Sequence, residues 1–441
     1  MGARGWWLVP LALTTVAVVG AIAAALLLSQ PAAAIDAPIW APTQQLNRGF
    51  IVDGSELAPE SSDPRAGIDA QGAALVVWAV PRKPGQFGTD VYGATAPAGQ
   101  PFRAARLVLA NADAPELAVL PDGRALLTAT RNDNGPEVLV VGRVDGEFGA
   151  VREIGGPRQR VSALAATPQG AVALVVDPTA PVPRTRVLEI GAQGVVGARR
   201  DVGLGEFAQR NQVARGADGT LAIAGDSQVV IRSPAGRWRR VKTRLGTSAD
   251  DPQAGVSPDG RVSVAAIRSR EFGEAAVYGG IVVAELQAGA NRFGPLRRAP
   301  VRPARRPSAF GPVVAYDASG HRVVAWIEDT HPDAGEEQES AFGRAIAWTA
   351  AGHRVTLDTK AADVRLLGAA NGVLSASDGG PWRTHLLTAR HATRLDGPRG
   401  SAEPATFGTE RGLATSRART ILAWRGRPDG GIRVARLAAT P

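Results

Sequence analysis

The chain has 441 residues and a formal net charge of +9, carried almost wholly by arginine because lysine occurs only at Lys83, Lys242 and Lys360. There is no cysteine, which excludes disulfides, thiolate catalysis, Cys-based zinc sites and lipidation on an N-terminal cysteine. Apolar residues make up 44% but aromatic ones only 5%, so the core must be built from Ala, Val and Leu. An Arg-rich, Lys-poor composition is what a GC-rich genome produces, and it also suits attraction to an anionic polymer or to lipid headgroups. The arginines cluster at Arg237, Arg239, Arg240 and Arg244, and at Arg297, Arg298, Arg302, Arg305 and Arg306. No aromatic-interleaved basic motif, helix-turn-helix pattern or zinc spacing accompanies them, so nucleic acid is not an expected partner.

At the N-terminus, Arg4 precedes an uncharged, mostly apolar stretch from Trp6 to Leu28, followed by Ser29-Gln30-Pro31-Ala32-Ala33-Ala34. A basic start, an apolar centre and an Ala-x-Ala ending are the parts of a secretory signal. The stretch is also long enough to span a bilayer. Residues 1–34 are therefore expected to be a signal peptide cleaved after Ala34 or a retained N-terminal membrane anchor. Either one places residues 35–441 outside the cytoplasm, secreted or held at the cell membrane.

After residue 60 one succession recurs eight times: a turn, an apolar run, a second run and a third that often opens on an aromatic residue. The turns are marked by Gly72, Gly123, Gly170, Gly219, Gly260, Gly320, Gly372 and, degenerately, Ala418, between 41 and 60 residues apart. A period near 50 residues made of short strands predicts a β-propeller with one four-stranded blade per repeat. The runs after the turns, such as Ala73-Ala74-Leu75-Val76-Val77-Trp78 and His321-Arg322-Val323-Val324-Ala325-Trp326, are too apolar for a strand covered on one side. They suit a strand buried between neighbouring blades. Trp78, Trp326 and Trp424 share one offset from the turn and read as core. Hairpins follow at Asp145-Gly146 and Ala235-Gly236, and the outer runs from Phe102, Phe148, Trp238 and Phe293 are Arg-rich, as exposed edges should be.

The eighth repeat reaches Pro441 without an outer strand. Its missing piece is at the other end, where Trp40-Ala41-Pro42-Thr43-Gln44-Gln45-Leu46 has the form of Phe293-Gly294-Pro295-Leu296-Arg297-Arg298. Residues 39–46 are therefore predicted to complete the last blade. The expected fold is all-β: a single propeller domain over 35–441 with eight four-stranded blades, its ring closed by the N-terminal strand. Seven blades is the alternative, because the repeats at Gly219 and Gly372 are weakly marked. No 3.6-residue period is sustained after residue 35, which argues against a helical fold.

The Pro-Asp-Gly turns (Pro121-Asp122-Gly123 and Pro258-Asp259-Gly260), the apolar run ending in Trp and the aromatic-Gly-Pro outer strand resemble the sialidase-like, BNR-type propeller repeats of secreted bacterial proteins. The resemblance covers roughly residues 39–441. It implies a propeller and, in sialidases, an Arg triad, a Tyr nucleophile and an acidic partner. The family's Ser-x-Asp-x-Gly-x-x-Trp box is approached only by Ala376-Ser377-Asp378-Gly379-Gly380-Pro381-Trp382, and none of Tyr92, Tyr278 and Tyr316 has a nucleophile's context. No enzymatic residues carry over. The Gly-Lys-x-x-Trp docking motif of eight-bladed quinoproteins does not recur either.

The loops after the apolar runs hold the candidate chemistry. The longest, from Glu328 to Glu339, carries six carboxylates and one histidine, and Glu328, Asp329, His331 and Asp333 present oxygen and nitrogen donors fit for calcium. The plain alternative is a solvated rim hairpin, and no Asp-x-Asp-x-Asp-Gly spacing strengthens the metal case. All five histidines lie between His321 and His391. Lys83, Asp90, Arg131, Asp133, Arg268 and Glu271 occupy the corresponding loops of other repeats, so one face of the disc is expected to be polar and mixed in charge, able to grip a polar ligand. The expected function is a non-catalytic, extracytoplasmic binding scaffold at the cell envelope. Its partner would be a protein, a polysaccharide or an anionic envelope polymer, with no cofactor beyond calcium at that loop and membrane contact only through an uncleaved N-terminal segment. The alternative is a glycosidase or lyase using carboxylates of the loop face.

Overall fold

The computed structural model describes residues 41–46, 64–82, 88–132, 135–157, 159–177, 184–204, 213–225, 227–245, 249–272, 275–300, 309–329, 343–361, 363–369, 372–378, 383–395, 412–416, 419–425 and 432–437. All belong to one compact unit, Ile39–Ala439, and the N-terminal segment 1–34 lies outside them. Among the described residues there is no helix, and the strands form eight antiparallel four-stranded sheets arranged as the blades of a ring. Blade 1 runs from Arg65–Ile68 to Arg106–Leu109, blade 2 from Ala112–Val119 to Phe148–Pro157, blade 3 from Arg160–Thr167 to Val196–Asp201 and blade 4 from Ala214–Arg215 to Trp238–Lys242. Blade 5 runs from Ala249–Val256 to Arg297–Arg298, blade 6 from Ala309–Tyr316 to Arg354–Ala361 and blade 7 from Asp363–Ala369 to Ala392–Leu395. Blade 8 joins Gly412–Ser416, Arg419–Arg425 and Ile432–Leu437 to an outer strand from the other end of the chain, Gln44–Gln45. The count is eight, and the repeats at Gly219 and Gly372 are full blades.

The second strand of each blade explains why these sequences form a ring. In Ala74–Pro81 alternate side chains take opposite faces. Leu75, Val77 and Ala79 pack against blade 2, while Ala74, Val76 and Trp78 pack against blade 8, and all six are fully buried. The same division recurs at every seam, so the ring holds eight apolar clusters, one between each pair of neighbours. Trp326 repeats the part of Trp78 at the seam of blades 5 and 6. Trp424 is described only for its backbone.

The turn glycines fall between the first and second strands. Gly72, Gly123, Gly219, Gly260 and Gly320 have φ between 78° and 91°, a region closed to most side chains. Gly170 and Gly372 belong to tighter turns that pair Thr167 with Gly170 and Ala369 with Gly372.

The ring closes as the N-terminal repeat form requires. Gln44 and Gln45 pair with Val434 and Arg433, and the amides of Ala41 and Leu46 donate to the carbonyls of Arg436 and Ile432 at 2.7 and 2.8 Å. Leu46 enters the core shared with blade 1. The Gln44 amide also clasps blade 1, donating to the Phe102 carbonyl at 2.6 Å and accepting from the Phe102 amide at 2.8 Å.

The Arg-rich outer strands do more than solvate an edge. Arg106 of blade 1 donates to the Gly146 carbonyl in the outer turn of blade 2. Arg152 of blade 2 reaches Gly194 of blade 3 at 3.4 Å, and Arg239 of blade 4 reaches Ala290 of blade 5. Each of these arginines staples its blade to the outer turn of the next.

Removal of residues 1–46 should cost about 3 kcal/mol or more, through lost burial of Leu46 and lost ladder bonds, and should expose the edge of blade 8 to pairing with other chains. Removal of residues 1–38 should leave stability unchanged. Thermal unfolding and size-exclusion chromatography of the two truncations check this, and equal melting temperatures would refute the closure.

Candidate functional site

In each blade the turns from strand one to two and from three to four lie at one end, here the turn face. The hairpin loops from strand two to three and the connections between blades lie at the other, the loop face. The loop face carries the candidate residues.

The first strands of blades 2, 5 and 6 are broken near this face by a β-bulge. Register slips between Asp113 and Glu116, between Asp250 and Gln253 and between Phe310 and Val313. At the centre of each bulge a residue with positive φ (Ala114 at 47°, Asp251 at 48° and Gly311 at 58°) precedes a buried proline, Pro115, Pro252 or Pro312. A left-handed residue other than glycine is strained, and a following proline disfavours that conformation further. Strain of this kind costs on the order of 1–3 kcal/mol per residue and gathers at functional sites. The bulges leave Asp113 exposed and Asp250 and Asp251 half-buried on the innermost strands. Gln253 donates to Asp251 at 2.9 Å. Just beyond Pro115, Glu116 receives Arg65 of blade 1 in a two-donor pair at 2.8 and 3.0 Å.

A polar network continues this rim between blades 1 and 2. Arg82 holds Asp90 at 2.9 and 3.1 Å, and the same carboxylate oxygen accepts from the Asn111 amide at 2.7 Å. Burial alone would raise the Asp90 pKa, but Arg82 and the Asn111 amide hold it below the usual carboxylate range. Asn132 donates to the Thr89 carbonyl at 2.9 Å and to Asn111 Oδ1 at 3.0 Å. Arg131 donates to the Ala110 carbonyl at 2.6 Å. In blade 5 the central hairpin, Val262–Phe272 with Ala275–Leu286, runs longer than its counterparts and stays paired to its tip, Phe272 opposite Ala275. Exposed Arg268 lies on its loop-face arm.

The sequence candidates thus divide. Asp90 and Arg131 meet in one network, and Arg268 stands on the blade 5 hairpin. Glu271 is described for its backbone only, paired to Ala276. Lys83 and Asp133 lie outside the described residues, as do His331 and Asp333. Asp329 ends its strand and is described for its backbone. Glu328 is nearly buried, and both its oxygens are engaged: Oε1 accepts from Trp326 Nε1 at 3.1 Å and Oε2 from Arg354 at 2.5 Å. It cannot ligate an ion without breaking that buried pair. His321 is tied to Asp317 at 3.0 Å. Among the described residues no three His, Asp or Glu side chains gather as a metal cluster.

The innermost strands were missed by sequence reading, although a signal existed. Pro64, Pro115, Pro252 and Pro312 each stand eight residues before a turn glycine. Glu137 was missed too. It is 1% exposed, packed between blades 2 and 3, and Thr130 donates to its Oε2 at 2.8 Å. Burial pushes its carboxyl up to about 7, against the opposing pull of Thr130 and of the Val161 amide.

No family model matches the chain, and no curated protein sequence matches it. Some solved structures are similar to it at low sequence identity. Virginiamycin B lyase from Staphylococcus aureus is 12% identical, covering 73% of this chain and 94% of its own, with a TM-score of 0.43. A protein from Lactobacillus plantarum is 15% identical over 75% of this chain and 96% of its own, at 0.45. A Hadza microbial sialidase is 11% identical over 88% of this chain and 67% of its own, at 0.38. The likeness is one of fold. None of these singles out the sialidase-like repeat over other propellers.

Two outcomes are expected. Ala114→Gly should stabilise the protein by about 0.5–1 kcal/mol in urea unfolding, because the relief of left-handed strain exceeds the added freedom of the unfolded chain. No gain would show that the bulge is unstrained. Glu137 has a raised folded pKa, so its contribution to stability is complete below its unfolded value of 4.5 and disappears as pH rises through about 7, roughly 3 kcal/mol in all. The stability of the natural protein relative to Glu137→Gln should therefore fall between pH 4.5 and about 7 and level off above, and a constant difference would refute the shift.

Proposed function

We propose that this propeller is a non-catalytic binding scaffold of the cell envelope, gripping a polysaccharide, a peptide or a partner protein with its loop face. One observation carries the reading: bulges with a left-handed residue before a buried proline recur at one place on the innermost strands of blades 2, 5 and 6, strained at Ala114 and Asp251, on the face where the blade 5 hairpin is longest. A rigid ring that holds such strain keeps its polar groups in fixed positions, which lowers the ordering cost of binding. The rim offers carboxylates and an amide at blades 2 and 5 (Asp113, Asp250, Asp251, Gln253) and paired arginines at blade 1 (Arg65, Arg82). Such a set suits the hydroxyls and amides of a glycan or an extended chain better than one strong charge. The extracytoplasmic setting rests on Arg4, the apolar stretch Trp6 to Leu28 and the Ala-x-Ala ending at Ala34.

A specific observation also favours the enzyme reading, a glycosidase or lyase. Glu116 is paired with Arg65 at 2.8 Å, while burial pushes the nearby Glu137 carboxyl up to about 7, and two carboxyls in contrasting environments are what acid and base roles require. The burial of Glu137 keeps binding as the first reading, since a substrate would have to reach it.

The test is a thermal-shift and glycan-array comparison of the natural protein with the triple variant Asp113→Ala, Asp250→Ala, Asp251→Ala. The panel holds uronic-acid and neutral oligosaccharides, muropeptides and calcium. The variant should melt within a few degrees of the natural protein and bind at least about tenfold more weakly, a loss of about 1.4 kcal/mol. Undiminished binding would move the site elsewhere. Turnover of a uronic-acid polymer that is lost in Glu137→Gln with the fold intact would select the enzyme.

A further inference from the structure

The seam between blades 6 and 7 differs from the others in the middle of its core. Ser375 and Ser377 alternate with Val373 on the second strand of blade 7, and His385 alternates with Leu387 on the third, so all of them take the face that Val373 and Leu387 present to blade 6. Blade 3 has the same tight turn and shows what this place ordinarily holds. There Ala173 pairs with Leu188 and Val175 with Arg186, where blade 7 pairs Ser375 with His385 and Ser377 with Arg383. Two apolar core side chains of one blade are thus a serine and a histidine in the other.

Part of this polar set is satisfied. Ser377 donates to Asp358 of blade 6 at 3.3 Å, and Arg383 pairs with the same carboxylate at 3.2 Å. The other part is not. Ser375 is 1% exposed and His385 7% exposed, and neither Ser375 Oγ nor His385 Nδ1 makes a hydrogen bond to the described residues. They are direct cross-strand neighbours, with β-carbons about 4.5–5.5 Å apart. Each such atom, if left dry, has lost its hydrogen bonds to water with nothing in their place.

We propose that a single buried water molecule binds between Ser375 Oγ and His385 Nδ1 as a built-in part of the seam of blades 6 and 7. The chemistry selects water over an ion. Arg383 and Arg394 flank the imidazole and disfavour a cation, while the Asp358 carboxylate disfavours an anion. Burial, together with Arg394, pushes His385 down to about 4, so at neutral pH the ring offers one neutral donor or acceptor at Nδ1. A hydroxyl and a neutral imidazole nitrogen ask for one small molecule able both to donate and to accept.

The direct test is a crystal structure of the full chain at high resolution. One density peak within hydrogen-bond distance of both atoms, refining as water, is the expected result. Direct contact of Ser375 Oγ with His385 Nδ1, an empty apolar gap or an anomalous peak from a soaked halide would overturn the proposal. Stability gives a second, independent reading through Ser375→Ala, His385→Leu and the double variant, which restores the Ala173–Leu188 pairing of blade 3. Each single change leaves one bridging partner unmet and should lower the melting temperature by several degrees. The double variant should melt above either single one. A double variant that melts at the sum of the two losses would show that no shared ligand couples them.

Discussion

Everything in this molecule depends on two-sided burial of the second strands. A blade such as Ala74–Pro81 with its partners has no core of its own; half of its apolar side chains belong to the seam before it and half to the seam after it. Burying such side chains contributes about 1.5–3 kcal/mol each for the larger ones, but only if both neighbours are in place. An open row of blades would leave two faces wet, and only a closed ring satisfies every face. This is why the short outer strand Gln44–Gln45 matters out of proportion to its length. It brings Leu46 into the seam of blades 8 and 1, and Gln44 binds the backbone of Phe102 across that seam.

The same constraint reorganises the charge of the chain. Arginine on an outer edge reads in sequence as a solvated or polyanion-seeking surface. In the ring, Arg106, Arg152 and Arg239 spend their guanidinium groups on carbonyls of the following blade, and Arg240 donates to Asp201 of the preceding one at 2.9 Å. A planar donor fork on a long stem reaches a turn carbonyl that an ammonium would satisfy less fully. Arg297 and Arg298 remain exposed on the two-residue outer strand of blade 5. The basic balance is thus partly structural, and net charge overstates the pull on anionic partners.

What was legible in the sequence follows the same logic. Turn glycines were readable because Gly123 and its counterparts occupy a backbone region that demands glycine, and the apolar runs because both faces of those strands are buried. The closing strand was readable because Trp40 to Leu46 repeats the form of Phe293 to Arg298. The innermost strands were not legible: at Ala112–Val119 the bulge shifts the alternation, so buried Pro115 sits beside exposed Ala114 and no period of two survives. Glu328 was read with the acidic loop that follows it. Its place two residues after Trp326, on the same strand face, makes it instead the acceptor for a buried indole N–H. Glu137 gave no signal beyond a charged residue opening a strand.

The location of the bulges has a physical origin that ties the fold to the candidate site. The first strand of each blade is an inner edge, paired on one side only. A bulge or a proline in the second or third strand would break ladders on both sides, but on this edge it costs one ladder at most. The inner strand therefore tolerates irregular backbone at small cost, and Pro115, Pro252 and Pro312 occupy it. Apolar packing on the flanking strands holds the left-handed residues in place, so the strain persists instead of relaxing. Those bulges stand at the loop end of the inner wall, with Asp113 near Glu116 and its partner Arg65, and Asp250 and Asp251 on blade 5. A ring whose rigidity comes from its seams thus carries the three proline bulges around its axis, on one face, where a ligand can meet several blades at once.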